Sequence, residues 1–136
     1  MIEWLIDIIK EWVGAQGFLQ TGFVDRGDPA AYDFTSTAFT KDSAWHELDL
    51  SGIIPTNVKA VAVSIVVSNT TAGKLFRLRT NGNANTMNNA IINTQVALLF
   101  YGSDLIVAPD ANRKIEYFAT SAGWLTINFT VKGWWF

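Results

Sequence analysis

The sequence predicts a mainly β chain: an antiparallel β-sandwich or jelly roll of about eight strands, preceded by one short N-terminal amphipathic helix. Three observations predict it. The stretch KAVAVSIVV, Lys59–Val67, puts β-branched residues (Val61, Val63, Ile65, Val67) on one face and small ones (Ala60, Ala62, Ser64) on the other. Both faces are dry, as in a central strand with a close neighbour over the alanines. The stretch LFRLRT, Leu75–Thr80, alternates cleanly, with Phe76 and Leu78 opposed to Arg77 and Arg79. Short runs of this kind recur to the last residues, separated by turn-forming Gly, Pro, Asn and Asp.

In order, the helix comes first, from Ile2 to about Val13. Glu3, Asp7, Lys10 and Glu11 share one narrow face, and Ile, Leu, Trp and Val fill the rest. The polar arc is roughly 100° wide and the apolar arc roughly 200°. A helix lying on one domain needs about half that apolar width, so the excess calls for a second contact. Ile2, Leu5, Ile9 and Trp12 fit a and d positions of two heptads. Gly14 and Gly17 are expected to end the helix. The chain thus divides into residues 1–16, an anchor or oligomer stem, and residues 17–136, the β domain.

Strands are then expected at Phe34–Phe39, Trp45–Leu50, Lys59–Val67 and Leu75–Thr80. After the Asn-rich stretch 81–93, strands are expected to resume at Thr94–Phe100, Asp104–Ala108, Lys114–Ala119 and Trp124–Lys132. In the last of these, Leu125, Ile127, Phe129 and Val131 should face the core. Trp124, Thr126, Asn128 and Thr130 should face away. Buried hydroxyls and amides need partners, so that second face is either wet or set against another subunit.

Composition narrows the function. Of 136 residues 49% are hydrophobic and only 16% charged, against about 25% charged in an average domain. Disorder is excluded, since disordered chains are charge-rich and poor in aromatics. A surface so poor in charge suggests that part of it is covered by another subunit or partner. The net charge is −2, and no basic strip offers itself to nucleic acid. No cysteine is present, which removes disulfides, thiolate nucleophiles and cysteine-bound zinc. The N-terminal stretch is too short and too interrupted by charge for a signal peptide or a membrane span.

No catalytic set stands out. His46, the single histidine, lies mid-strand in WHELDL, and no G-x-S-x-G elbow accompanies it. Carboxylates such as Glu47 and Glu116 could in principle form a glycosidase pair, but spacing alone brings no two together. Neither a calcium loop nor a phosphate-cradling glycine loop is complete. No catalytic, cofactor-binding or metal-binding residue is therefore expected.

The run NGNANTMNNAIIN, Asn81–Asn93, carries six asparagines. Asn tolerates left-handed backbone and closes its own turns. Its side chain also donates and accepts together, which suits sugar hydroxyls. Arg77, Arg79, Asn81, Asn83, Asn85 and Asn88 are the candidate ligand loop. The chain finishes on VKGWWF. Trp124, Asn128, Trp134 and Phe136 join the helix residues Ile2, Trp4, Leu5, Ile9 and Trp12 as candidate interface, because large aromatics anchor interfaces. The tripeptide Arg26-Gly27-Asp28 spells an adhesion signal. Pro29 after it and Gly27 within it read instead as a structured turn into the first strand, with Arg26 able to bridge Asp25, Asp33 or a neighbouring chain.

The stretches DRGDPAAYDFT, AWHELDLSGIIPTNVKAVAVSIVV, FRLRTNGNAN, DLIVAPDANRKIEYFAT and GWLTINFTVKGWW together resemble small β-rich structural proteins of tailed phages, of the trimeric head-fibre, decoration or tail-knob type. The resemblance covers most of the chain after Gly22. It implies a non-enzymatic virion component, assembled in the host cytoplasm, trimeric, held to the capsid or another virion protein at one end and displayed at the other. It carries no binding residue with it. Two other classes remain: a carbohydrate-binding, lectin-like module for cell-surface glycans, and a small hydrolase.

Overall fold

The computed structural model describes residues 2–16 and 22–136, with helix side chains described from Ile2 to Ile9. Helix α1 spans Ile2–Gln16. It continues past the expected stop near Val13, because one glycine inside a helix costs only about 1 kcal/mol. Eight strands follow: β1 Val24–Asp25, β2 Trp45–Asp49, β3 Ala60–Asn69, β4 Leu75–Thr80, β5 Ala90–Asn93, β6 Tyr101–Val107, β7 Lys114–Ala119 and β8 Trp124–Trp135. They form two antiparallel four-stranded sheets in the orders β1-β8-β3-β6 and β2-β7-β4-β5. The chain crosses between sheets at nearly every connection, only β4 and β5 following each other within one. That strand order is the jelly roll.

The core lies between the sheets. Val61, Val63, Ile65 and Val67 of β3 face Phe76 and Leu78 of β4 and Ile115 and Tyr117 of β7, all essentially without solvent exposure. Phe39, ahead of β2, meets Tyr117 and Phe76 edge-on at centroid separations of 4.9 and 5.2 Å. Such pairs add about 0.5–1.5 kcal/mol beyond the area they bury.

Four expectations are corrected. Phe34–Phe39 is not a strand: Phe34 makes one bridge with Phe129 and the chain turns into a 3-10 helix at Ser36–Ala38. Ala90–Asn93, expected as loop, is the edge strand β5, paired with β4. Thr94–Phe100 is not a strand. Thr94 is buried, its hydroxyl donating to Thr71 O and accepting from Lys74 N, while residues 95–100 are exposed loop. Finally, Leu125 is 56% exposed rather than in the core. A register shift at Ser68/Asn69 leaves it without a partner on β3. This bulge reverses the alternation and turns Trp124 inward against the core.

A second shift, at Ala62/Val63 opposite Lys132, does the same for Trp134. The two β8 tryptophans assigned to an interface, Trp124 and Trp134, thus pack partly on their own sandwich. Gly133, beyond that shift, is required by close approach: a Cβ there would overlap the Val24 carbonyl and the Phe23 ring.

Candidate functional site

The Arg26-Gly27-Asp28 turn is internally committed. The Arg26 guanidinium lies bidentate on Asp33, at 2.8 and 2.5 Å, and donates to Val131 O at 3.1 Å. Asp33 also accepts from Val131 N at 2.8 Å, and its side chain is only 8% exposed. Gly27 has φ +83°, so the turn uses the left-handed region that glycine reaches without strain. The pair ties the segment after β1 to β8. The arginine of the tripeptide is thus held within the chain.

The outer face of the β2-β7-β4-β5 sheet carries the candidate arginines. Register places Trp45, Phe118, Arg77 and Ile91 in one row across the sheet, and Glu47, Glu116 and Arg79 in the next. Arg79 stacks on Trp45, 4.0 Å from the ring centroid, and donates through Nε to Glu116 at 2.6 Å. Glu116 also accepts from Gly82 N. The pair is mostly buried at both ends, so its charges cancel locally. Arg77 lies 5.4 Å over Phe118, and its Nε is buried with no partner among the described residues.

The Asn-rich loop divides into fasteners and wall. The Asn81 Nδ2 donates to Asp110 at 2.9 Å and to Glu47 at 3.2 Å, closing one end of the sandwich. Partial desolvation raises the Asp110 carboxyl. Hydrogen bonds from Asn81 and from the Lys114 and Asn112 backbone outweigh that and hold it below its ordinary value. Asn83 is exposed. Asn85 donates to Asn88 O, which shapes the turn. Asn88 reaches a cleft of about 260 Å³ at the seam between the edge strands β5 and β6, lined also by Arg79, Thr80, Asn89 and Ile106. Of the candidate ligand residues, Arg79 and Asn88 therefore share this cleft. Arg77, Asn81, Asn83 and Asn85 lie outside it. Asn89 was not distinguishable from its neighbours by sequence, since only the fold selects which asparagine lines the cleft.

The candidate interface also divides. Ile2, Trp4, Leu5, Ile6, Ile8 and Ile9 of α1 are all exposed, between 43% and 73%. Trp12 lies outside the described side chains. Asn128 is half-buried on the outer face of the β1-β8-β3-β6 sheet, opposite Val66, and Phe136 is exposed. Sequence reasoning missed a further patch. Val96, Leu98, Leu99 and Phe100 are 51–70% exposed at a tip held by hydrogen bonds from Val96 N to Tyr101 Oη and from Leu98 N to Asn69 O. Leu98 adopts φ +69°, unusual for a bulky side chain. The absence of charge from Thr94 to Ser103 was the available signal, but it reads equally as a buried strand.

His46 bonds through Nε2 to the exposed Asp42 carboxylate, at 2.8 Å, and no serine hydroxyl among the described residues bonds its ring. That hydrogen bond holds the Asp42 carboxyl below its ordinary value. Glu47 and Glu116 are opposed across β2 and β7, each already matched, to Lys114 and Arg79. The arrangement is that of a fastened sheet surface. Among the described residues no helix is long and apolar enough to cross a membrane.

No protein-family model matches the chain, and no curated protein matches it.

Proposed function

We propose that the chain is a non-enzymatic assembly and display protein. Its N-terminal helix self-associates as a homotrimer and seats the jelly-roll domains on a larger particle, a virion in the setting that the sequence resemblance implies. The observation that carries this reading is the exposure of Ile2, Leu5 and Ile9 together with Trp4, Ile6 and Ile8, beside a sandwich that closes its own core. Covering Leu5 and Ile9 would contribute about 3 kcal/mol per chain, and three chains can cover apolar positions around most of the helix. An isolated helix of this length is marginal in water, so packing against copies is also what keeps it helical. The jelly roll is shared by viral capsid and lectin domains. It supports the setting without deciding it, because one fold hosts many functions.

Sedimentation equilibrium of the full chain and of the Leu5→Asp/Ile9→Asp variant tests the reading. The parent should sediment at three chain masses, and the variant at one with unchanged far-ultraviolet circular dichroism in the β region. A parent that sediments as one chain at micromolar concentration overturns it.

A further inference from the structure

We infer that the loop 95–100 is a membrane-contact tip, seated in the interfacial layer of a lipid bilayer. Val96, Leu98, Leu99 and Phe100 are 51–70% exposed. Residues so close in sequence that all face water cannot share a strand, whose side chains alternate, so the loop projects as a turn. Clustered apolar side chains left in water mark a protein or membrane contact. The turn is built rather than loose. At its base Thr94 is buried, its hydroxyl joined to Thr71 O and Lys74 N. Val96 N donates to Tyr101 Oη at 2.7 Å, and Leu98 N to Asn69 O at 2.8 Å. Asn69 is itself buried and fastened to Ala122 O and Thr71 N. Leu98 keeps φ +69°, which a bulky side chain holds only where its surroundings impose it. Hydrogen bonds and backbone strain together keep four apolar side chains in water.

Three observations select a bilayer. The tip is convex, and a fluid bilayer closes around a projection, whereas a protein partner must supply a matching cavity. Two backbone donors, at Val96 and Leu98, are already paired inside the chain, so they leave water without the cost of an unmade hydrogen bond. The other backbone groups limit the depth to the interface, since irregular backbone is not tolerated in contact with the hydrocarbon core. The third observation is charge. The loops at this end of the sandwich, 69–74, 94–103 and 120–123, contain no carboxylate, and their single charge is Lys74. Lys74 makes no ion pair among the described residues, and a lysine at that level meets lipid phosphate. The adjoining loop 41–44 carries one charge of each sign, Lys41 on Ser36 O and Asp42 on His46. Position agrees with display. The tip adjoins the start of β8 through Asn69, the partner of Trp124, while β1 enters the sandwich beside Gly133 and Trp134, roughly 35 Å away along β8. The contact does not depend on trimerisation, although several tips on one particle would multiply a weak affinity.

The test is flotation of the full-length chain with vesicles of phosphatidylcholine containing a minor share of phosphatidylglycerol. The parent should float with the lipid. Leu99→Ser/Phe100→Ser should lower its partition coefficient at least about tenfold, the effect of withdrawing two large apolar side chains, with an unchanged thermal melt. Because the chain has no cysteine, Leu99→Cys accepts a single nitrobenzoxadiazole label, whose emission should brighten and shift to the blue on adding vesicles. The same label on Asn83→Cys, exposed beyond the other end of β4, should not respond. The Leu99→Cys label should respond in the Leu5→Asp/Ile9→Asp background too, at higher lipid concentration where avidity has been lost. A label that responds only with the helix intact assigns the contact to the helix and overturns the proposal. A parent that stays in the aqueous fraction, or a serine variant that floats as well as the parent, also overturns it and leaves the tip to a protein partner.

Discussion

The sandwich and the N-terminal helix spend the same residue types in opposite ways. Ile65, Ile115 and Ile127 are fully buried between the sheets, whereas Ile2, Ile6, Ile8 and Ile9 stand 43–73% exposed on α1. The side chains are of the same type in the two regions; their geometry differs. A strand with period two presents one row to an opposing sheet, and the second sheet satisfies it. The helix carries apolar residues around most of its circumference, more than one flat neighbour could cover. Burial in the first region is therefore a property of the single chain. In the second the described side chains are exposed, and the proposed assembly is what would cover them.

The largest expected effect lies on the sandwich side. Phe129→Ala empties the space that Phe129 shares with Phe34 and Phe39 and should cost about 3–5 kcal/mol in chemical denaturation. Ile6→Ala on the helix should change that quantity by less than about 0.5 kcal/mol at concentrations where the chain is monomeric. Equal costs at the two positions would erase the contrast.

Next is the fastening of β8. Asp33→Ala leaves the mostly buried Arg26 guanidinium without its anion. The cost should be about 2 kcal/mol, below that of breaking a fully buried pair because Arg26 keeps some contact with water. A thermal melt of that variant indistinguishable from the parent would place the pair among surface contacts. A smaller effect on folding, though not on assembly, is expected of Asn128→Arg. The outer-face position should accept the side chain with unchanged circular dichroism. If that face meets another subunit, as its Thr-Asn-Thr pattern suggests, the sedimenting mass should fall; an unchanged mass assigns the face to solvent.

The smallest effect concerns acid. The Asp110 carboxyl is held below its ordinary value of 3.8, so the folded chain gives up this proton more readily than the unfolded one. The stabilisation is complete above that ordinary value and fades as pH falls through the lowered one. The Asn81 side-chain amide signal should accordingly stay constant from neutral pH to about pH 5 and move only below about pH 4. Movement near neutrality would mean that a different group controls the tie.

How much of this was legible depended on period. β3, β4, β7 and most of β8 could be read from the sequence because their alternation matches the pleat. β5 was hidden because four residues, Ala90–Asn93, give too little pattern beside an Asn run. The tip at Val96–Phe100 was misread because an unbroken apolar run has no period, and a buried strand and an exposed loop then look alike. Leu125 was misread for a different reason: a bulge turns Leu125 out and Trp124 in, while Ile127, Phe129 and Val131 keep the expected face, and a bulge leaves no local sign in TSAGWLT. The cleft at Asn88 and Asn89 is also lined by Ala60, Leu78, Arg79 and Ile106, which only the fold brings together, so the Asn run suggested a binding loop without showing which residues meet.

The contrast between the regions is tested most directly by hydrogen–deuterium exchange of the full chain at low and high protein concentration. Amides of β3 and β8 should be protected equally at both, since their burial belongs to the single chain. Amides of Ile6–Ile9 should exchange freely when dilute and become protected as concentration rises. Protection of the helix in the dilute monomer, or free exchange at every concentration, would contradict a helix that is covered only by its own copies.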